Sequence, residues 1–210
     1  MLLTIWRGFG HLAKAFTYLG GALLVFAALT VTAEVLLRKI VSPVLGPQYN
    51  FTGSDEIASY LFAVGTSLSL AYVVVARGNV RIDALYRLFG PRARAAMDIL
   101  ALAGMLVFSA ALLERGWSVA ELSYSGRIVS NTTLRVPLAI PQIGWVIGLA
   151  MFTVSLILAL VVSIAALARG DLEGAAAVGS AITVQEEVSS ELQGLGLSVG
   201  EARSAAKGER

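Results

Sequence analysis

The 210-residue chain has no cysteine and one histidine, and charged residues make up only 14% of it, against about 25% in an average soluble domain. Without cysteine, the chain forms no disulfide, thiolate metal site or cysteine nucleophile. A single histidine excludes a haem held by two histidines of this chain and a multi-histidine metal centre. The sequence also lacks a P-loop, a GxGxxG fingerprint, a nucleophile elbow and an HExxH pair. We therefore predict no catalytic, metal-binding or cofactor-binding residues.

The chain is rich in apolar residues, which make up 57% of it, and its mean hydropathy is +0.77. A bilayer core about 30 Å thick is crossed by about 20 apolar helical residues, and hydrocarbon forces each crossing segment to be helical. Four stretches qualify, which predicts an all-α integral membrane protein. We place the transmembrane helices at about residues 15–37, 57–76, 95–113 and 142–167.

Two details of these spans are open to test. The first stretch is longer than the 7–15 residues of a signal-peptide core, so we expect a retained helix. Pro137 and Pro141 are expected to keep the start of the fourth apolar run outside its helix, because proline lacks a backbone donor.

The distribution of charge predicts the topology. The connection between the second and third spans is rich in arginine, and such connections lie in the cytoplasm, which puts both termini there as well. Residues 1–14 then form a cytoplasmic N-terminus and residues 15–168 a membrane domain. Residues 169–210, which are acidic and rich in small residues, are predicted to be a disordered cytoplasmic tail. No nucleic-acid partner is indicated. The arginines of the connection are Arg77, Arg81, Arg87, Arg92 and Arg94.

Part of this cytoplasmic connection has helical character. Residues 80–89 place Arg81, Asp83 and Arg87 beside apolar side chains. An arginine-rich amphipathic helix next to a span is expected to lie in the membrane interface. A plain basic loop that only fixes the topology is the alternative.

Charged residues inside the spans lie near helix ends. Glu34 and Arg38 are four residues apart at the end of the first span, and Arg94 and Asp98 are four apart at the start of the third. This spacing favours ion pairs at helix ends. A proton or ion site is expected nearer the midplane, which weighs against an independent pump. The rival hypothesis is a self-sufficient, homo-oligomeric ion-coupled transporter that uses Glu34 as its coupling carboxylate.

Small residues form stripes on two of the spans. Such stripes let helices approach closely in lipid, either within this chain or against another membrane protein, and the sequence leaves both readings open. We take these residues, together with Glu56 at the start of the second span, as candidates for helix packing or a subunit interface. They are Ser59, Ala63, Gly65, Ser67 and Ala71 in the second span, and Gly144 and Gly148 in the fourth.

The stretch from Asp55 to Asp83, DEIASYLFAVGTSLSLAYVVVARGNVRID, resembles the DctQ-like small membrane subunit of tripartite ATP-independent periplasmic (TRAP) transporters. The resemblance covers about residues 10–168, although Asn79 stands where the family frequently has histidine. The matching positions are Glu56, Ala58, Gly65, Gly78, Val80 and Asp83, with Arg38 after the first span and Thr133, Leu134 and Pro137 before the fourth.

The resemblance implies a role. A DctQ-like subunit is a non-catalytic scaffold, without a cofactor, that pairs with a large multi-spanning permease subunit. A periplasmic substrate-binding protein delivers an organic anion, such as a dicarboxylate or a sialic acid, and ion gradients drive its uptake.

Overall fold

The computed structural model describes residues 2–46, 53–78 and 89–180, and residues 189, 191, 192 and 194 of the tail. In these ranges the regular secondary structure is helical, apart from one isolated bridge between Val129 and Pro137. The first helix passes through a π-helical turn, Leu37–Val41, into a short second one. The α-helices are α1 (Leu2–Leu36), α2 (Ser42–Leu45), α3 (Ser54–Val75), α4 (Pro91–Ser125), α5 (Ala139–Ala168) and α6 (Leu172–Gly179).

The predicted all-α fold with four membrane-spanning candidates is confirmed. Within the described ranges, four helical segments are long and apolar enough to cross a bilayer. The predicted interfacial helix, with Arg81, Asp83 and Arg87, lies outside the described residues. The four segments are Thr4–Val44, Ser54–Val75, Pro91–Ser125 and Ala139–Ala168.

The helices extend beyond the predicted spans. Helix α1 already begins at Leu2, and α4 continues to Ser125, because charged residues end an apolar stretch without ending a helix. The expectation that Pro141 precedes the fourth helix is wrong, since α5 begins at Ala139. Proline is tolerated there because the first four N–H groups of a helix have no partner within the helix.

The four long helices are arranged in a row. Helix α3 packs between α1 and α5, and α4 packs on the other side of α5, so that α1 and α4 form the two edges. Burial follows this order: half of the most apolar window of α5 is buried, against 11% of that of α1. The row therefore leaves long apolar faces on both edge helices.

Glycines bring the backbone of α3 into contact with both neighbours. A Cβ atom on Gly65 would lie 2.8 Å from the carbonyl oxygen of Gly20 in α1. On the α5 side, a Cβ atom on Gly148 would lie 2.5 Å from the carbonyl carbon of Ser67. Because real Cβ atoms do not approach so closely, these contacts require glycine.

The chain turns back after α5. Gly170 adopts a φ of +74°, and Asp171 accepts a hydrogen bond from the backbone N–H of Gly174 at 2.8 Å, which caps α6. Ala175 and Val178 of α6 are buried, and Val178 joins a core cluster that includes Trp6. The expectation of a disordered tail is thus wrong for residues 172–179, because this segment has an apolar face that the bundle covers. Other cluster members are Val74, Leu102, Phe152, Leu156, Ala159 and Val162.

We predict that Gly148→Ala destabilises the protein, whereas Gly104→Ala does not. Alanine favours a helix over glycine by about 1 kcal/mol at either site. At Gly148 the added methyl group meets Ser67, and such overpacking costs about 1–3 kcal/mol. A Cβ atom on Gly104 meets nothing within 4 Å. Thermal unfolding of the two variants in the same detergent measures the difference, and equal midpoints would contradict the tight contact.

Candidate functional site

Polar side chains from three segments meet at the end of the row where α3 begins. Helix α1 contributes Glu34, α3 contributes Ser54, Glu56 and Tyr60, and the connection between α4 and α5 contributes Ser130 and Thr132. We call these six residues the polar joint. Its two carboxylates lie on different helices and have different partners.

Glu34 joins α1 to α3. Its carboxylate accepts a hydrogen bond from the hydroxyl of Ser54, the first residue of α3, and its Oε1 lies 3.6 Å from a guanidinium nitrogen of Arg38. The Glu34 side chain is 12% exposed and that of Arg38 is 58% exposed. The ion pair has the predicted four-residue spacing, and the bond to Ser54 turns it into a link between two helices.

Glu56 joins α3 to the connection between α4 and α5. Its carboxylate accepts hydrogen bonds from the hydroxyl of Tyr60, at 2.7 Å, and from that of Thr132. The hydroxyls of Thr132 and Ser130 are 2.7 Å apart. Because Glu56 is 9% exposed, these bonds compensate for water that the carboxylate loses on burial.

The connection over residues 126–138 is folded into a compact turn. Backbone bonds from Ser130 to Val136, at 2.9 Å, and from Leu138 to Ile128, at 3.0 Å, flank the Val129–Pro137 bridge. Leu134 of this turn lies against Gly53, where a Cβ atom would be 2.6 Å from Leu134 Cδ1, and the φ of Gly53 is +133°. The turn thus rests on the start of α3 through both apolar and polar contacts.

The chemistry of the joint is that of a structural connection. Each carboxylate holds donors from another segment, and in the described part of the chain no group of three or more His, Asp or Glu side chains is placed to hold a metal ion. A carboxylate that carries protons or ions across the membrane needs to exchange partners, whereas these two link neighbouring segments.

The predicted stripe of small residues divides into two halves. Gly65, Ser67 and Ala71 are buried, so they pack helices within this chain. Ser59 is exposed and Ala63 is partly buried. In α5, Gly148 lies against Ser67, and a Cβ atom on Gly144 would lie 3.1 Å from Val64.

The second predicted ion pair does not form. Asp98 is buried in α4, but Arg94 donates from Nε to the backbone carbonyl oxygen of Phe89 at 2.8 Å. Between described residues, the structure holds one salt bridge within 4.0 Å, that of Glu34 and Arg38. Arg94 is in the first turn of α4, where Gly90 is the N-cap, so its side chain reaches the carbonyl oxygen of Phe89.

Comparison with family models identifies the chain. Residues 27–166 match the model described as "Tripartite ATP-independent periplasmic transporters, DctQ component". The chain belongs to the DctQ family. The comparisons with curated proteins and with solved structures give no match. The match covers the polar joint, α3, α4, the last ten residues of α1 and all but the last two residues of α5. Most of α1 and all of α6 lie outside it.

The two carboxylates of this DctQ chain, Glu34 and Glu56, stand out in the sequence, whereas their partners do not. Ser54 lies 20 residues after Glu34, too far for a spacing within one helix to reveal their bond. Tyr60 lies four residues after Glu56, a spacing that could have revealed the bond. Ser130 and Thr132 are 74 and 76 residues away from Glu56 in sequence, and no local pattern connects them to it.

We predict that Glu56→Ala releases the turn at residues 126–138 while the helices remain inserted. Loss of a buried hydrogen-bond acceptor costs about 1–3 kcal/mol, so cleavage by trypsin after Arg127 or Arg135 should become roughly 5- to 150-fold faster. Asp55→Ala, an exposed carboxylate on the same helical turn, is the matched control. Equal cleavage of both variants, followed by mass spectrometry, would show that Glu56 does not hold the turn.

Proposed function

We propose that this DctQ-family chain is the non-catalytic scaffold subunit of a TRAP-type transporter for organic anions in the bacterial inner membrane. It pairs with a large permease subunit, to which a periplasmic substrate-binding protein delivers the anion. The family match carries this proposal. Both termini face the cytoplasm in this proposal, which the arginine-rich connection between α3 and α4 supports.

The geometry of the chain supports a static role. The middle of α1, α3 and α5 carries no charged residue, so these helices offer no carboxylate that could couple an ion or proton near the midplane. At the level of Gly65 and Ser67, glycine contacts fix α3 against both neighbours. At the start of α3, the polar joint ties the same helix to α1 and to the turn before α5. A scaffold that the moving part of a permease works against has to be held in this way.

A groove between α1 and α3 is our candidate for the permease contact. It has a volume of about 740 Å³, and alanine and serine side chains form much of its wall. It contains Ser59, the exposed residue of the small-residue stripe, which the chain itself leaves uncovered. Small residues allow another transmembrane helix to approach closely. Wall residues include Ala27, Ala28, Ala58 and Ser59.

Affinity purification from native membranes in mild detergent, with mass spectrometry, tests the proposal. We expect an equimolar large, hydrophobic partner. Recovery of this chain alone as a stable homo-oligomer would support the rival transporter. That rival also requires transport by the purified chain in liposomes and its loss in Glu34→Gln.

We predict that Ser59→Leu lowers recovery of the large partner several-fold, because the leucine side chain fills the groove between α1 and α3. Ala111→Leu, on an exposed face of α4, is the control and should leave recovery unchanged. The amount of each variant in the membrane is measured in parallel. If both variants recover the partner equally well, the permease contacts another face.

A further inference from the structure

The helix contacts show which residues of the row lie at the same level. Gly20 of α1 lies against Gly65 of α3, and Gly10 lies against Val75. Gly148 of α5 lies against Ser67 of α3. At the other side of α5, Gly116 of α4 is level with residues 145–149, since a Cβ atom there would lie 3.0–3.5 Å from Trp145, Val146 and Leu149.

Exposed charged residues of the two edge helices lie at the same levels as the apolar part of α3. Helix α4 is antiparallel to α5, so Glu114 and Arg115, just before Gly116, lie near Gly148, and Glu114 shares a groove wall with Ala150. Through Gly148 they are level with Ser67, in the middle of α3. Both side chains are exposed.

A bilayer that crosses the row at a right angle is therefore unfavourable. Centred on α3, it would bring Glu114 and Arg115 close to the midplane on a lipid-facing edge, where a charged side chain is strongly disfavoured. At the other edge, exposed Lys14 lies between the levels of Gly10 and Gly20. An upright bilayer would therefore also bury Lys14 in the hydrocarbon, near the membrane surface at which α3 ends.

We propose that the hydrocarbon contacts this protein along an oblique band that runs diagonally across the row of helices. The charge-free stretch of α1, from Lys14 to Glu34, has its midpoint at Leu24, which is level with Leu61 of α3. The charge-free stretch of α4, from Asp98 to Glu114, has its midpoint at Leu106, which is level with Ala76.

These two midpoints differ in level by roughly 22 Å at 1.5 Å per residue. Three interaxial spacings of about 9 Å separate the edge helices. The slope of the band is therefore about 40°, at the upper end of the tilts of transmembrane helices.

Helix lengths and interfacial side chains fit this band. Helices α1 and α4 have 35 residues each and α5 has 30, whereas an upright crossing needs about 20. Tyr18, 69% exposed, lies just inside Lys14, whose Nζ is 5.9 Å from the centre of the tyrosine ring. Trp117, 62% exposed, follows Glu114 at the opposite edge. Tyrosine and tryptophan favour the membrane interface, and these two mark opposite boundaries of the oblique band.

Single cysteines placed in the full chain in native membranes test the proposal, and the natural absence of cysteine gives an unlabelled background. The probe is a membrane-impermeant maleimide, applied to intact spheroplasts and to inside-out vesicles. The variants are Leu100→Cys and Leu122→Cys in α4, and Leu12→Cys and Leu29→Cys in α1. All four leucines are exposed on the protein surface, so that their reactivity reports contact with lipid or water.

We expect Leu122→Cys and Leu12→Cys to react several-fold faster than Leu100→Cys and Leu29→Cys. An upright bilayer, with Glu114 and Arg115 covered by a partner, reverses the order of the α4 pair, because Leu100 then lies outside the hydrocarbon. Labelling in denaturing detergent, which should be equal at all four sites, corrects for intrinsic reactivity. Leu100→Cys reacting as fast as Leu122→Cys, or faster, would overturn the oblique band.

Discussion

The close approach of α3 to two neighbours at one level is the contact on which the rest of the fold depends. Lipid does not drive helices together as water does, so association relies on tight packing. Gly65 meets the backbone of Gly20 on one side of α3, and Ser67 meets Gly148 on the other. These two contacts place α3 between α1 and α5. A row follows, since α4 then finds its contact on the far side of α5.

A row of helices has open edges that a closed bundle lacks. Its outer helices retain apolar faces that only lipid or another membrane protein can cover. The polar joint compensates for this openness at the start of α3, where Glu34 and Glu56 bind donors from α3 and from the turn before α5. Because an unpaired buried carboxylate is costly, each of these bonds also restrains the segment that supplies its donor. The helices that glycine contacts hold in the middle are thus held again at one end.

The sequence predicts the helices better than their arrangement. Apolar length alone predicts four spans, and the small-residue spacing selects Gly65, Ser67 and Gly148 as candidates for helix packing or a subunit interface. The sequence does not show which helix each of these residues meets, because no local pattern connects Gly20 with Gly65. Hydropathy reports where lipid ends and not where a helix ends, so the residues after Glu114 continue as helix. Pro141 also lies within a helix, because the first turn of α5 does not need its missing N–H. The donors of the polar joint come from distant parts of the chain, and only the fold brings them to Glu34 and Glu56.

The short α3 explains why the chain folds back at its end. Gly148 is level with Ser67, so α5 continues well beyond the level of Val75, where α3 stops. Helix α6 lies next to the end of α3: Val178 packs in the same cluster as Val74, and Gly179 lies against Ser163 of α5.

Arg77, just after α3, closes the contact by donating from Nε to the carbonyl oxygen of Ser180 at 2.7 Å. That carbonyl follows the last residue of α6, where a helix leaves acceptors without internal partners and favours a cation. An eight-residue helix is unstable alone. Helix α6 therefore depends on its packing beyond the end of α3 and on the hydrogen bond from Arg77. The family match ends at residue 166, before this segment begins, yet the packed unit continues to Ser180.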